Sequence, residues 1–583
     1  MRTIIYSTLV RLWGNKKAHA QLTPHGTLEQ NGTGTLEDFD DAALDYLASL
    51  GVSHLWPIGI IRHATQTPLH SWTDCPDQHP DIVKGQAGSP YAITDYYDVH
   101  PTIVREPMRR RETFRSFVER CHRHGLKVII DFVPNHVSRQ YDGTHTPQGA
   151  TPLGAKDNRS KAFDPNNNFY YLPGTSLQLP NRSSSYHEEP ARVTGNDCWS
   201  ATPSANDWYE TVKLNYGVDY RPDGSRISHF DPTPATWLQM RDILCYWAAE
   251  GVDGFRCDMV EMVPVEFWHW VIPQVQEQYP VTFIAEIYQI DNYHKYLEEG
   301  AFDLLYDKSG LYDTLYQVIT QERSVSAIEE RLIYNKKEYA PDELLYFLEN
   351  HDEVRLASPY FADTAQRGLT AMTLLALATP SPLLLYAGQE YGERGVDAEG
   401  YSGLDGRTSI FDYWAIPSLG HRDPADPIYQ SYHRLMQWAQ HPVILRGAFH
   451  SIQEQARQWG GFNAERTYGY LRLLDPAEQE ARETIGIAVL SNFTADPQRY
   501  PLFLPVSEER GDSQQLMRVT TQTYLEACQE QLYAFQSWAP LIVKLPPYSV
   551  QVIELRNTNF SVFSTPKCNL EWSSPCSGRP LLS

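Results

Sequence analysis

At about 150 residues per domain, the 583-residue chain has room for three or four domains. Its 42% hydrophobic and 21% charged residues make a globular composition with a sizeable core. The 49 Lys+Arg against 72 Asp+Glu leave a net charge of −23, which argues against nucleic acid as a partner. A membrane span is also excluded, because no run approaches ~18 uninterrupted apolar residues, and no membrane partner is expected.

The chain opens as if it were an export signal. Met1-Arg2 is basic, Ile4 to Val10 is mostly apolar, and Ala18-His19-Ala20 has the small-x-small cleavage pattern. The run is short, however, and Arg11, Asn15, Lys16 and Lys17 break it. The preferred reading is a buried first strand, Ile4 to Val10, in a cytoplasmic protein, with export left open. A helix pattern over Leu36 to Leu50 stops at Gly51, and His54 to Ile60 forms the second strand. A helix over Met108 to His124 leads to Val128 to Val133, and one over Trp237 to Ala249 leads to Gly254 to Asp258. Val281 to Ala285, Phe302 to Tyr306, Leu344 to Leu348 and Pro382 to Tyr386 complete a set of eight strands.

Strands alternating with helices imply a parallel α/β sheet, and eight of them imply a closed (β/α)8 barrel. An open doubly wound sheet is the runner-up, but no Gly-rich phosphate loop follows the first strand. Between the third strand and the next helix lie about 95 residues rich in Asn, Ser, Pro and Gly, far more than a connecting loop needs. The expected organisation is a barrel over 1–136 and 234–446, with an inserted domain over its mouth at 137–233. A C-terminal antiparallel β-sandwich follows at 447–556, where alternating runs such as Thr467 to Leu471 and Ser549 to Leu555 replace helical periodicity. Residues 557–583, rich in Ser and Pro, are expected to be a poorly ordered tail.

The eight cysteines contain no CxxC pair, and HExxH, Walker and nucleophile-elbow motifs are missing, so zinc, phosphate-loop and serine-hydrolase chemistry have no support. Reduced thiols are the preferred reading, and Cys568 and Cys576 could pair only in a secreted chain.

Strand ends are unusually acidic. Asp131 closes the third strand, Asp258 the fourth, Glu286 the fifth and Asp352 the seventh. Barrel active sites sit at these ends, and carboxylates meeting at one mouth suit glycosidic-bond chemistry, one as nucleophile or base and a protonated one as acid. Arg256 and Asp258, two apart on a strand, share a face, so the guanidinium should favour ionised Asp258. A barrel salt bridge is the alternative. Glu286 follows the apolar run Phe283-Ile284-Ala285, so desolvation should raise its pKa. Asp352 could instead cap the next helix. His136 and His351 fall at two of the acidic strand ends and would donate to sugar hydroxyls. The 12% aromatic content suits sugar faces and ordinary cores alike.

Taken together, these segments resemble the α-amylase family of glycoside hydrolases. Asp131-Phe132-Val133-Pro134-Asn135-His136 resembles its third-strand motif, and Gly254-Phe255-Arg256-Cys257-Asp258 its nucleophile strand. Ile284-Ala285-Glu286 resembles the acid/base strand, Glu349-Asn350-His351-Asp352 the seventh-strand motif, and Tyr386-Ala387-Gly388-Gln389-Glu390 the eighth-strand ending. The resemblance implies a retaining mechanism, with Asp258 as nucleophile, Glu286 as acid/base and Asp352 supporting the transition state. Arg256, His136 and His351 would position the reacting sugar, and Tyr91 resembles the family tyrosine that stacks on it.

The implied activity is hydrolysis of α-1,4 links in maltooligosaccharides or starch-like α-glucans. Transfer to a sugar acceptor would use the same intermediate, and a non-catalytic relative should have lost one of the three carboxylates. No cofactor is needed for this chemistry. The family often holds a structural Ca²⁺ between barrel and insert, but the Lys-His pair that many members carry after the nucleophile is Glu261-Met262 here. Asn135 alone cannot supply the six to eight oxygens Ca²⁺ wants, so the metal ligands stay unknown. In exo-acting relatives an Asp usually stands three residues before the stacking tyrosine; that position is Gly88.

Overall fold

A computed structural model describes residues 1–221, 223–402, 404–504, 515–523, 526–535 and 540–556. The expected tail, with Cys568 and Cys576, lies outside the described residues. Eight short apolar segments form one parallel sheet: β1 (Ile4–Leu9), β2 (His54–Ile58), β3 (Lys127–Phe132), β4 (Gly254–Cys257), β5 (Thr282–Ala285), β6 (Leu304–Tyr306), β7 (Leu344–Leu345) and β8 (Leu383–Tyr386). Each pairs with its sequence neighbour, and β8 returns to β1 through the register Ile4↔Leu383 to Ser7↔Tyr386. The sheet closes where Tyr346 bridges Leu383, its N–H donating to the Pro382 carbonyl (3.0 Å). Closure removes both sheet edges, so strands of two to six residues suffice.

A helix follows each strand: α1 (Asp41–Ser49), α2 (Arg110–Arg123), α3 (Ala235–Ala249), α4 (Val265–Gln276), α5 (Tyr293–Glu298), α6 (Ser326–Glu338), α7 (Ala365–Ala378) and α8 (Pro427–Ala439). The helix expected over Leu36 to Leu50 divides. A 3-10 turn covers Leu36–Asp38, and α1 starts afresh because the Asp40 side chain accepts from the Ala43 N–H. Gly51, at φ +73, supplies the left-handed stop after α1. The helix α7 is buried on every side from Gly368 to Ala378, because one side faces the barrel and the other the C-terminal sheet.

The excursion after β3 carries three small antiparallel pairs, including His136–Ser138 with Thr211–Lys213. Its Arg139–Glu188 ion pair is buried (2.7 Å). The C-terminal region stacks two antiparallel sheets. One contains β9 (Ala448–Ser451), β10 (Thr467–Leu473), β11 (Thr484–Asn492), β13 (Gln515–Thr523), β14 (Glu526–Phe535) and β16 (Ser549–Arg556); the other pairs β12 (Gln498–Leu502) with β15 (Leu541–Leu545). Alternation along β10, β11 and β16 splits their side chains between two cores. Tyr468, Tyr470, Ile487, Val489, Val550 and Val552 join the barrel core. Leu471, Ala488, Leu490, Ile553 and Leu555 meet Tyr500, Leu502, Val543 and Leu545 inside the sandwich. The cysteines at 75, 121, 198, 245 and 257 are free thiols.

Candidate active site

The strand ends hold four carboxyl groups around one guanidinium. The Asp258 N–H donates to the Phe132 carbonyl (2.9 Å) and the Glu286 N–H to the Cys257 carbonyl (3.1 Å), which extends the ladder one residue past β4 and β5. Arg256 points inward and is fully buried. Its Nη1 donates to Asp258 Oδ1 (2.8 Å) and Asp131 Oδ1 (3.3 Å). Its Nη2 lies 2.6 Å from Glu286 Oε1 and 3.8 Å from Asp352 Oδ2. The rings of Tyr91, Trp56 and Tyr306 surround the guanidinium carbon at 5.2, 5.4 and 5.7 Å.

One guanidinium among three buried acids and the part-exposed Asp352 cannot keep all of them ionised, and the surroundings decide which hold protons. Burial pushes Glu286 up to about 8 against the pull of Arg256, with Asp258 and Asp352 adding to the rise. It holds this position although its Oε2 accepts from the Met259 N–H (2.7 Å) and its Oε1 from the Tyr288 hydroxyl (3.0 Å). Met259 adopts φ +47, a left-handed conformation uncommon for a side-chain-bearing residue.

Asp258 departs from the sequence expectation. Arg256 does favour its charged form, but burial outweighs that pull and raises Asp258 to about 6. Asp352 goes the other way: burial is overcome by His351, whose Nε2 lies 2.9 Å from Oδ2, and by Arg256, so the carboxylate is held low. Nor does Asp352 cap a helix. Asn350 Oδ1 accepts from the Asp352 and Glu353 N–H groups (both 2.9 Å), while α7 begins at Ala365 under Thr364.

Tyr91, His136, Asp258, Glu286 and Asp352 line one cavity of about 300 Å³. The Tyr91 hydroxyl contacts His351 Nε2 (2.5 Å) and Asp131 Oδ1 (3.3 Å), and its ring stacks on His351. Burial pushes His136 down to about 3, so it is a neutral imidazole. Arg256 and His351 do not line the cavity; they lie behind it and hold the carboxylates that do. Trp208, Glu210, Lys84, Tyr288 and Phe411, none of them among the expected site residues, also line the cavity. They sit in loops without periodicity, so no local signal marks them. Asp131 did carry a signal, as the first residue of its motif. It accepts from Trp56 Nε1 (2.9 Å) and ties Arg256 to Tyr91.

A family model for the α-amylase catalytic domain matches residues 27–425. The chain belongs to the α-amylase family. It is 25% identical over 359 residues to an α-amylase of Haloarcula japonica, covering 60% of this chain and 41% of that protein, so it spans well under two-thirds of that relative. It is 23% identical over 429 residues to α-amylase 3 of Dictyoglomus thermophilum, covering 68% and 70% of the two chains. In fold it is similar to the Geobacillus thermoleovorans α-amylase crystallised with acarbose. That match has a TM-score of 0.60 at 19% identity and covers 96% of this chain and 98% of the other.

The departures from the α-amylase family motifs have structural counterparts. Asn135 Oδ1, the candidate calcium ligand, accepts from Lys213 Nζ (3.0 Å), and the same ammonium pairs with Asp197 (2.7 Å). A cation of the chain's own therefore faces these oxygens, and the donor set does not fit Ca²⁺. Asp95, Asp98 and His145 also converge, but Arg62 reaches both aspartates (3.1 and 3.3 Å) and Arg110 reaches Asp98 (2.8 Å). Glu261 accepts from the Tyr288 N–H (2.9 Å) and Asn292 Nδ2 (2.7 Å), bracing the loop beside Glu286. Gly88 has φ +78, and a Cβ there would lie 1.8 Å from the Ala64 carbonyl oxygen, so this backbone admits no aspartate. Among the described residues no helix is long and apolar enough to cross a membrane.

Proposed function

We propose that this chain is a retaining glycoside hydrolase cleaving α-1,4-glucosidic bonds in maltooligosaccharides or starch-like α-glucans. The observation that carries the reading is the placement of one carboxyl pair at two neighbouring strand ends. Asp258 and Glu286 share the two arms of Arg256 and face one cavity, yet their proton affinities differ. Near neutral pH Asp258 is ionised and Glu286 protonated, the states a nucleophile and a general acid require.

In this mechanism Asp258 attacks the anomeric carbon while Glu286 protonates the departing glycosidic oxygen. Glu286, now ionised, takes a proton from water, and the hydroxide opens the glycosyl-enzyme ester and restores Asp258. Asp352, kept charged by His351, binds ring hydroxyls most tightly as the sugar distorts. Tyr91 and neutral His136 position the ring, and Arg256 sets the charge states from behind.

The test is a maltoheptaose time course with products sized by mass. Shorter products alone are expected, and Asp258→Asn should lower turnover by about 10³-fold or more while leaving sugar binding. Products longer than maltoheptaose would make the enzyme a transglycosylase, and turnover retained by Asp258→Asn would overturn the mechanism.

A further inference from the structure

A second cavity, of about 640 Å³, opens at the opposite end of the barrel. The turn after α6, the segment leading into β8, and strands β9 and β10 form its walls. Tyr339, Leu344, Leu445 and Phe449 give it a mainly apolar lining. Every charged side chain that lines it is basic: Lys336, Lys337, Arg446 and Arg472. In a chain of net charge −23 that runs against composition.

Two of these cations are neutralised nearby, Arg446 by Glu478 (3.1 Å) and Lys337 by Glu338 (2.6 Å). Lys336 and Arg472 have no carboxylate partner among the described residues. Arg472 is only 5% exposed and donates from Nη1 to the Ala378 carbonyl (3.0 Å) and from Nη2 to the Ile444 carbonyl (2.5 Å). Its Nε is buried with no partner. Arg2, 3% exposed and close enough to repel Arg472, is likewise held by carbonyls alone and leaves Nη2 unpaired. Burial lowers Arg472 to about 10 and, with the repulsion from Arg472, lowers Arg2 to about 9. A buried guanidinium without a carboxylate is costly, and an anion in the cavity would offset that cost at Arg472, which lines it.

We propose that this cavity binds a small organic anion with an apolar body, its acidic head between Lys336 and Arg472 and its body against Phe449 and Tyr339. A carboxylate and a phosphate monoester share this chemistry. Such a ligand bridges barrel and sandwich at the end away from the acidic mouth.

The full chain would be titrated with the fluorescent probe anilinonaphthalene sulfonate, then challenged with decanoate, decyl phosphate, inorganic phosphate and decanol. One saturable site is expected, with displacement by decanoate or decyl phosphate, whose rank identifies the head group. Lys336→Glu, at an exposed position, and Ala448→Trp, which narrows the mouth, should each weaken binding about tenfold or more at an unchanged Tm. Arg472→Met should do the same if circular dichroism shows it folded. Absence of saturable binding, displacement by decanol as effective as by decanoate, or affinity unmoved in both rim variants would each overturn the proposal.

Discussion

At the scale of single residues, the pH dependence follows from Asp258 and Glu286. The proposed active form needs the first ionised and the second protonated. Below about pH 6 Asp258 gains a proton and the nucleophile is lost; above about pH 8 Glu286 loses one and the acid is lost. A profile of kcat/KM should therefore be bell-shaped with limbs near these values, which belong to the pair together. Glu286→Gln should lower kcat/KM by roughly 10²–10⁴-fold and abolish the alkaline limb; an unchanged limb would assign it to another group. Gly88 makes a second residue-scale case. Gly88→Asp, which restores the residue seen in exo-acting relatives, should destabilise the chain by several degrees in a melting experiment and confer no exo preference.

At the scale of elements, Lys213 is the informative side chain. It reaches from the strand Thr211–Lys213 to Asn135 beside the strand His136–Ser138 and pins the excursion to the barrel mouth. Its ammonium is almost wholly buried, and its removal leaves Asn135 Oδ1 with no donor and Asp197 without its cation. Lys213→Ala should cost about 1–3 kcal/mol, read as a lower Tm. Because a fixed cation already faces these oxygens, millimolar CaCl₂ or EDTA should move the wild-type Tm by less than about 1 °C. A calcium-dependent rise of several degrees would show a site elsewhere.

At the scale of the whole molecule, barrel and sandwich share one core. Tyr470 donates its hydroxyl to the Leu374 carbonyl (2.8 Å), and α7 lies between the two parts. We propose that residues 447–556 fold as a unit that the barrel cannot do without. A chain ending at residue 446 should be insoluble or aggregated, since it uncovers the apolar outer side of α7. The full chain should unfold in one calorimetric transition; two well-separated transitions would show independent units.

The sequence by itself determined the eight strands, the order of the barrel and the acidic strand ends. Each depends on local periodicity and on short motifs such as Asp131 to His136 and Glu349 to Asp352. That Asp258 and Glu286 meet at one mouth was legible for the same reason, since a strand end places both there whatever the loops do. Only the tertiary structure decided that burial outweighs Arg256 at Asp258, that Lys213 faces Asn135, and that Trp208, Glu210 and Phe411 complete the cavity. Those outcomes depend on groups brought together from distant parts of the chain, and neither solvent exclusion nor a partner's charge is written in the residues next door.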